Sequence, residues 1–198
     1  MTTMRSTGPR TRRQRALLAE LEELFLAEGF LAFTLDDLAA KLRCSKTTLY
    51  ALAPSKEQLS VKVVAHFFKG AAERIEARVA GIDDAAEAVR TYLSGVSAEL
   101  ERASAAFMAD VAAFEPTRAV YAFNSEAAAR RIRQFIADGV EQGVFRNDHA
   151  DAIAEMAGIL VESIQAGIVG ARARTTDAEA FDALAELLLG GLRWGAPG

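Results

Sequence analysis

Cysteine occurs once in this chain, proline four times, and histidine twice. A single cysteine rules out an internal disulfide framework and fits a reducing cytosol. With so little proline and few β-branched runs in a chain dominated by Ala, Leu, Glu and Arg, strands are disfavoured and an all-α class is expected. No apolar run reaches the length of a membrane span: the best candidate, Ala157 to Ala171, contains Glu162, Ser163 and Gln165. Met1 to Arg15 is charged and lacks the apolar core of a signal peptide. The two histidines, His66 and His149, belong to no metal-binding pattern, and neither a phosphate-binding glycine loop nor a Gly-x-Ser-x-Gly elbow occurs. Cys44 has only Arg43 and Lys46 as nearby activators and is read as a small packed hydrophobe. Catalysis therefore has little to stand on, and no cofactor or metal is expected.

What is present is a chain of 198 residues, 51% hydrophobic, long enough to bury about 70% of its unfolded surface. Its net charge of −4 hides a polarity. Over residues 1 to 56, nine basic residues oppose six acidic ones, a local excess of +3 ahead of an acidic remainder. Local charge, rather than the total, governs attraction to a phosphate backbone.

The most informative stretch is Phe33 to Lys56. Thr34 followed by Asp37 forms a capping box, and Leu35, Leu38, Ala39 and Leu42 then recur as one face of a two-turn helix. Arg43-Cys44-Ser45 breaks the pattern, and Ser45 can cap a second short helix through Leu52. Leu49 and Leu52 make its buried side. Lys46, Thr47, Thr48 and Tyr50 make its other side, rich in donors and free of negative charge. Two short helices about a tight turn form a helix-turn-helix.

The preceding helix runs to Glu28 with Leu17, Leu18, Leu21, Leu24 and Phe25 on one face, and Gly29 ends it. Before it, Met1 to Thr11 reads as a disordered polar tail. Arg10, Arg12, Arg13 and Arg15 could follow phosphates or enter a minor groove, as N-terminal arms do. Ser55 with Gln58 starts a longer helix to Val79, striped by Leu59, Val63, Phe67 and Ile75; it leaves the head and enters the body.

Further helices are expected at about 84–102, 103–114, 125–142, 147–173 and 176–192, with a break at Glu115-Pro116-Thr117. The penultimate one carries Gly158, Gly167 and Gly170, which suggest close backbone approach. Each Gly costs about 1 kcal/mol against Ala within a helix. The last one, with Phe181, Leu184, Leu187, Leu188 and Leu192, has more apolar surface than one packing face needs. The pair suggests a four-helix bundle with a second copy, through Ile153, Gly158, Ile164, Gly167, Phe181, Leu184 and Leu188. Aromatics in the body would suit an apolar cavity between helices, and Phe67, Tyr92, Phe107, Asp110, Phe114, Tyr121 and Phe135 are its candidate lining.

Four elements in order, Phe25-x-x-x-Gly29-Phe30, Thr34-Leu35-Asp36-Asp37-Leu38-Ala39, Ser45-Lys46-x-Thr48-Leu49-Tyr50 and Ser55-Lys56-Glu57-x-Leu59, make the chain resemble the TetR family of bacterial transcriptional repressors. They cover about a quarter of it. The resemblance implies an all-α protein with a three-helix DNA-binding head, residues 1–56, and a helical ligand-binding and dimerisation body, residues 57–198. It also implies a homodimer with operator DNA and a small, apolar or amphipathic effector as partners, in the cytoplasm and with no membrane contact. Operator contact falls to Thr34, Arg43, Ser45, Lys46, Thr47, Thr48, Tyr50 and Lys56. Thr34, Tyr50 and Lys56 would hold phosphates, while Lys46, Thr47 and Thr48 would read base edges. Arg43 stands where the family's turn carries Gly, which implies either a left-handed backbone there or a locally different turn. Ala51-Leu52-Ala53 replace an aromatic, a His and a Phe, and Pro54 stands where Lys is common. The competing readings are a ligand-binding protein that has lost operator recognition and, behind it, a helical enzyme.

Overall fold

The computed structural model describes the backbone of residues 9–192 and the side chains of residues 12–192. Ten helices follow one another among the described residues, with no strand: α1 Pro9–Glu28, α2 Leu35–Lys41, α3 Lys46–Tyr50, α4 Lys56–Val79, α5 Ala85–Leu100, α6 Ala105–Ala113, α7 Glu115–Glu141, α8 Ala150–Gln165, α9 Ile168–Ala173 and α10 Asp177–Leu192. None is long and apolar enough to cross a membrane.

The chain forms two compact units. One runs to Phe67 and takes in Ala103–Thr117; the other holds Phe68–Arg102 and the chain from Arg118 onward. The expected division after residue 56 therefore falls too early, and it misses α6, which packs on α1. Phe107 of α6 supplies the reason. It meets Phe30 edge-on at 6.1 Å and Phe67 at 5.6 Å, and Phe30 in turn stacks on Phe25 at 5.4 Å. These four rings are almost completely excluded from solvent. Aromatic packing of this kind contributes beyond its buried area. The same unit joins Ser104 to α1 through its N–H and the Leu26 carbonyl, 2.8 Å apart.

In the second unit, α10 packs on α5 and α8. Its start is fixed as the sequence requires: the Glu179 N–H donates to Thr176 Oγ1 at 3.2 Å and the Thr176 N–H to Glu179 Oε2 at 2.8 Å. Two expected boundaries move. Pro116 does not separate elements but sits in the first turn of α7, where a missing N–H costs nothing. The break comes one step earlier, at Phe114, whose backbone is extended (φ −100, ψ 109). The penultimate helix also divides. Gly167 adopts φ 72 between α8 and α9, so it punctuates the chain rather than packing inside a helix. Neither Asn147 nor Asp148 caps α8; its N-cap is His149, left-handed at φ 63 and without a side-chain cap bond. The polar tail up to Gly8 lies outside the described residues, while from Pro9 onward the chain is helical.

An ion cluster ties α4 to α5. Arg74 Nε and Nη2 each donate at 2.7 Å to the two oxygens of the nearly buried Glu99, and Arg102 Nη1 adds a third bond at 2.7 Å. The paired hydrogen bonds from Arg74, reinforced by Arg102, pull the Glu99 carboxyl down from 4.5 to about 2. A depressed folded-state value stabilises the protein above the unfolded value, and that stabilisation disappears as pH falls from about 4.5 towards 2. The shift corresponds to roughly 3 kcal/mol at neutral pH. Glu99→Gln is expected to lower stability near pH 7 by about 1–3 kcal/mol and to flatten the loss between pH 5 and 2, read from urea unfolding across that range.

Candidate nucleic-acid interface

The interface starts where α1 stops. Gly29 turns at φ 77, and the N–H groups of Phe30 and Leu31 both donate to Asp110 Oδ2, the latter at 2.8 Å. A Cβ on Gly29 would lie 2.6 Å from that same oxygen. Asp110 therefore belongs to the head, where it ties α6 to the loop after α1. Spacing alone offered no signal for this, because the partners are backbone amides 80 residues away.

Thr34 then caps α2. Its hydroxyl accepts from the Asp37 N–H at 3.2 Å, and Asp37 Oδ2 accepts from the Thr34 N–H at 2.8 Å and its hydroxyl at 2.6 Å. The Thr34 hydroxyl, followed by its backbone N–H, holds the Asp37 carboxyl below the usual carboxylate range. At the other end the Cys44 N–H donates to the Ala39 carbonyl and the Arg43 N–H to that of Ala40, the paired bonds of a Schellman ending. Such an ending puts its C′ residue in the left-handed region, and Arg43 is there at φ 48, the first of the two outcomes that its replacement of Gly implied. Burial pushes the neighbouring Cys44 thiol up.

Ser45 caps α3, its Oγ accepting from the Thr48 N–H at 3.2 Å. Beneath α3, Leu49 is wholly buried, and Leu52 and Ala53 are nearly so. Above it, Lys46, Thr47 and Tyr50 are exposed, and Thr48 is half-buried with its Oγ1 2.8 Å from Ser45 Oγ. The ridge expected to meet DNA therefore faces outward. Arg13 and Gln14 of α1, with Thr47, Thr48 and Ala51, border a recess of about 230 Å³, and Gln14 Nε2 donates to the Ala51 carbonyl at 3.3 Å. This brings one of the candidate arm arginines beside the recognition helix. Arg12 and Arg15 are exposed, and the side chain of Arg10 lies outside the described residues.

The lysines are held within the head. Lys46 Nζ is 2.7 Å from Asp36 Oδ1, and the hydrogen bond and charge of Asp36 raise the ammonium's affinity for its proton. Lys56 Nζ donates to the Leu31 carbonyl at 2.6 Å. Lys62, which sequence reasoning passed over, does the same to the Leu52 carbonyl at 2.7 Å, at the end of the recognition segment.

The second unit holds a different kind of site. Glu76 of α4, Tyr92 of α5, and Asn124, Arg131 and Gln134 of α7 surround a groove of about 310 Å³ floored by alanines. Arg131 Nε is 3.1 Å from Glu76 Oε1, and its guanidinium lies 4.1 Å over the Phe135 ring. Burial, with Glu76 nearby, pushes the Tyr92 hydroxyl up to about 12. Of the seven candidate pocket residues, Tyr92 lines this groove and Phe135 backs it with an edge contact at 5.4 Å. Phe67, Phe107 and Asp110 pack in the first unit, where Phe114 ends α6. Tyr121 stacks on Phe68 at 4.9 Å and donates to Asp177 Oδ2 at 2.8 Å.

The candidate dimer residues also sort by exposure. Ile164, Phe181, Leu184 and Leu188 are buried within their own chain. Gly158 makes the close approach expected of it, but to α7 of the same chain: a Cβ there would meet Arg133 Nη1 at 2.6 Å. Ile153 is half-buried, and Gly167 is exposed in the turn. The large apolar side chains left outside on α8, α9 and α10 are Met156, Ile159, Ile168 and Leu187.

Residues 17–63 match the family model described as bacterial regulatory proteins, tetR family. Over 53 residues the chain is 49% identical to an uncharacterized HTH-type transcriptional regulator, YvaF, of Bacillus subtilis strain 168; the match spans 27% of either chain. Among solved structures, the choline complex of a protein from Saccharomonospora viridis covers 93% of this chain and 100% of its own, at TM-score 0.71 and 19% identity. The TetR-family regulator PfmR of Thermus thermophilus covers 90% and 99%, at TM-score 0.60 and 23% identity. A TetR regulator of Haloarcula marismortui reaches TM-score 0.73 at 13% identity, over 93% and 100%. At such identities these structures speak for the fold.

The left-handed Arg43 yields a test. A non-glycine residue there costs about 1–2 kcal/mol relative to a relaxed backbone. Arg43→Gly is expected to raise the thermal unfolding midpoint, by about 1 kcal/mol of stability, as read from a calorimetric melt.

Proposed function

By its N-terminal domain, residues 17–63, the chain belongs to the TetR family of bacterial regulatory proteins, and we propose that it is a dimeric, ligand-responsive transcriptional repressor acting in the cytoplasm. The observation that carries the reading is the outward ridge of Lys46, Thr47, Thr48 and Tyr50, set on the fully buried Leu49. Two copies would place α3 in successive major grooves of a pseudo-palindromic operator, with half-sites one helical turn apart or a multiple of it. Thr34, Tyr50 and Lys56 hold phosphates and set register, with Arg13 and Arg43 adding charge; Lys46, Thr47 and Thr48 address base edges.

The second copy docks on the face of α8 and α10 through Met156, Ile159 and Leu187, which a monomer leaves in water. Isologous pairing of two such faces is the commonest closed arrangement. The effector is a small molecule; the Saccharomonospora viridis protein of similar fold holds one, choline, in its complex. The groove beside Tyr92 has a size and mixture of apolar floor and polar rim suited to one. An effector that prefers the DNA-free state lowers operator affinity by the coupling energy, about 1–3 kcal/mol or roughly 5–150-fold.

Footprinting upstream of the protein's own coding region, followed by titration at rising salt, tests the reading. Several phosphate contacts require affinity to fall steeply with salt. Lys56→Ala should weaken all duplexes by about the same factor, whereas Lys46→Ala should change which sequence is preferred. Salt-insensitive or absent binding would instead favour a ligand-binding protein without an operator. Leu187→Glu, at a position 62% exposed and so free of the core, should convert dimer to monomer in sedimentation velocity and weaken operator binding with the helical spectrum intact.

A further inference from the structure

We propose that Asp36 and Lys46 act together as a reader of a single G·C base pair, Asp36 being a specificity-determining residue of the DNA face. The inference rests on the repressor reading and adds a partner chemistry to it.

An exposed carboxylate beside a recognition helix is electrostatically unfavourable near phosphates. It is tolerated if it neutralises a neighbour or accepts from a base amine. Asp36 and Asp37 look alike in the sequence but differ in the structure. Asp37 is committed to the Thr34 capping box by three hydrogen bonds. Asp36 makes no cap: its Oδ1 holds Lys46 Nζ at 2.7 Å, and both side chains stay open, 73% and 50% exposed. Among the described residues no other partner engages either group, so Asp36 Oδ2 remains free to accept and the ammonium retains two donors.

The pair thus presents an acceptor next to donors at the first residue of α3. In the major groove a G·C pair offers the complement: guanine N7 and O6 accept, and cytosine N4 donates beside them. The reversed C·G pair puts the donor on the opposite side. A·T and T·A each set one donor between two single acceptors, so neither offers the adjacent pair of acceptors that the ammonium would bridge. Asp36 also holds the Lys46 ammonium away from phosphates, so unrelated DNA gains little from this lysine.

The test uses the full-length protein, fluorescence anisotropy, the footprinted operator with each base pair varied in turn, and an unrelated duplex of the same length. Wild type is expected to lose about 5–150-fold at one G·C pair per half-site when it is replaced, the ratio for a good bidentate contact. Asp36→Asn should abolish most of that discrimination. It should also bind the unrelated duplex more tightly at low salt, with a salt slope steeper by about one as Lys46 turns to a phosphate. In a Lys46→Ala background, Asp36→Asn should have a clearly smaller effect on base preference and no effect on the salt slope. Asp36→Ser serves as a second variant, and Asp36→Glu should restore part of the selectivity. Unchanged base preference and slope in Asp36→Asn would overturn the proposal, as would an equal effect with and without Lys46, the sign of a general field rather than a pair. Those results leave the repressor reading standing; failure of the wild type to bind any duplex in a salt-dependent way removes both.

Discussion

The burial of Leu49 is the constraint on which the head's surface depends. A five-residue helix cannot hold itself together in water, since its nucleation cost exceeds what so few hydrogen bonds return. α3 persists because Ser45 caps one end and Leu49, Leu52 and Ala53 anchor its underside. Once those side chains face inward, helical geometry leaves Lys46, Thr47 and Tyr50 no choice but to face outward. Ala53 makes the point for the replaced family residues. It is buried, so the segment after Tyr50 still contributes to the core, with less volume.

Around that anchor, the head is closed by a part of the chain far away in sequence. Phe107 and Asp110 of α6 complete the aromatic cluster and the loop after α1. The loop they hold is the one whose Leu31 carbonyl receives Lys56. A residue in the segment before α7 therefore helps to position Lys56. Any event that shifts α6 has a short physical route, through Asp110 and Leu31, to Lys56.

Local features were legible in the sequence because their causes are local. The Thr34–Asp37 capping box, the Ser45 cap and the end of α1 at Gly29 all follow from residues within a few positions of one another. The outward exposure of Lys46, Thr47 and Tyr50 could be expected for the same reason. What failed was sorting of apolar faces by destination. Phe181, Leu184 and Leu188 carry the same chemistry as Leu187, yet only the last is exposed. Likewise Phe67 and Phe107 belong to one unit and Tyr92 and Phe135 to the other. Periodicity marks a face as apolar but does not say what covers it. Pro116 was misread in a related way: proline marks the first turn of a helix as readily as its interruption.

Amide hydrogen exchange with and without operator DNA reads the central claim most directly, because amides of such a short helix open readily when free. Slower exchange across residues 43–51 on DNA addition, with residues 177–192 unaffected, is the predicted result. Unchanged exchange across 43–51 in a demonstrably DNA-bound protein would contradict it and place the contact surface elsewhere.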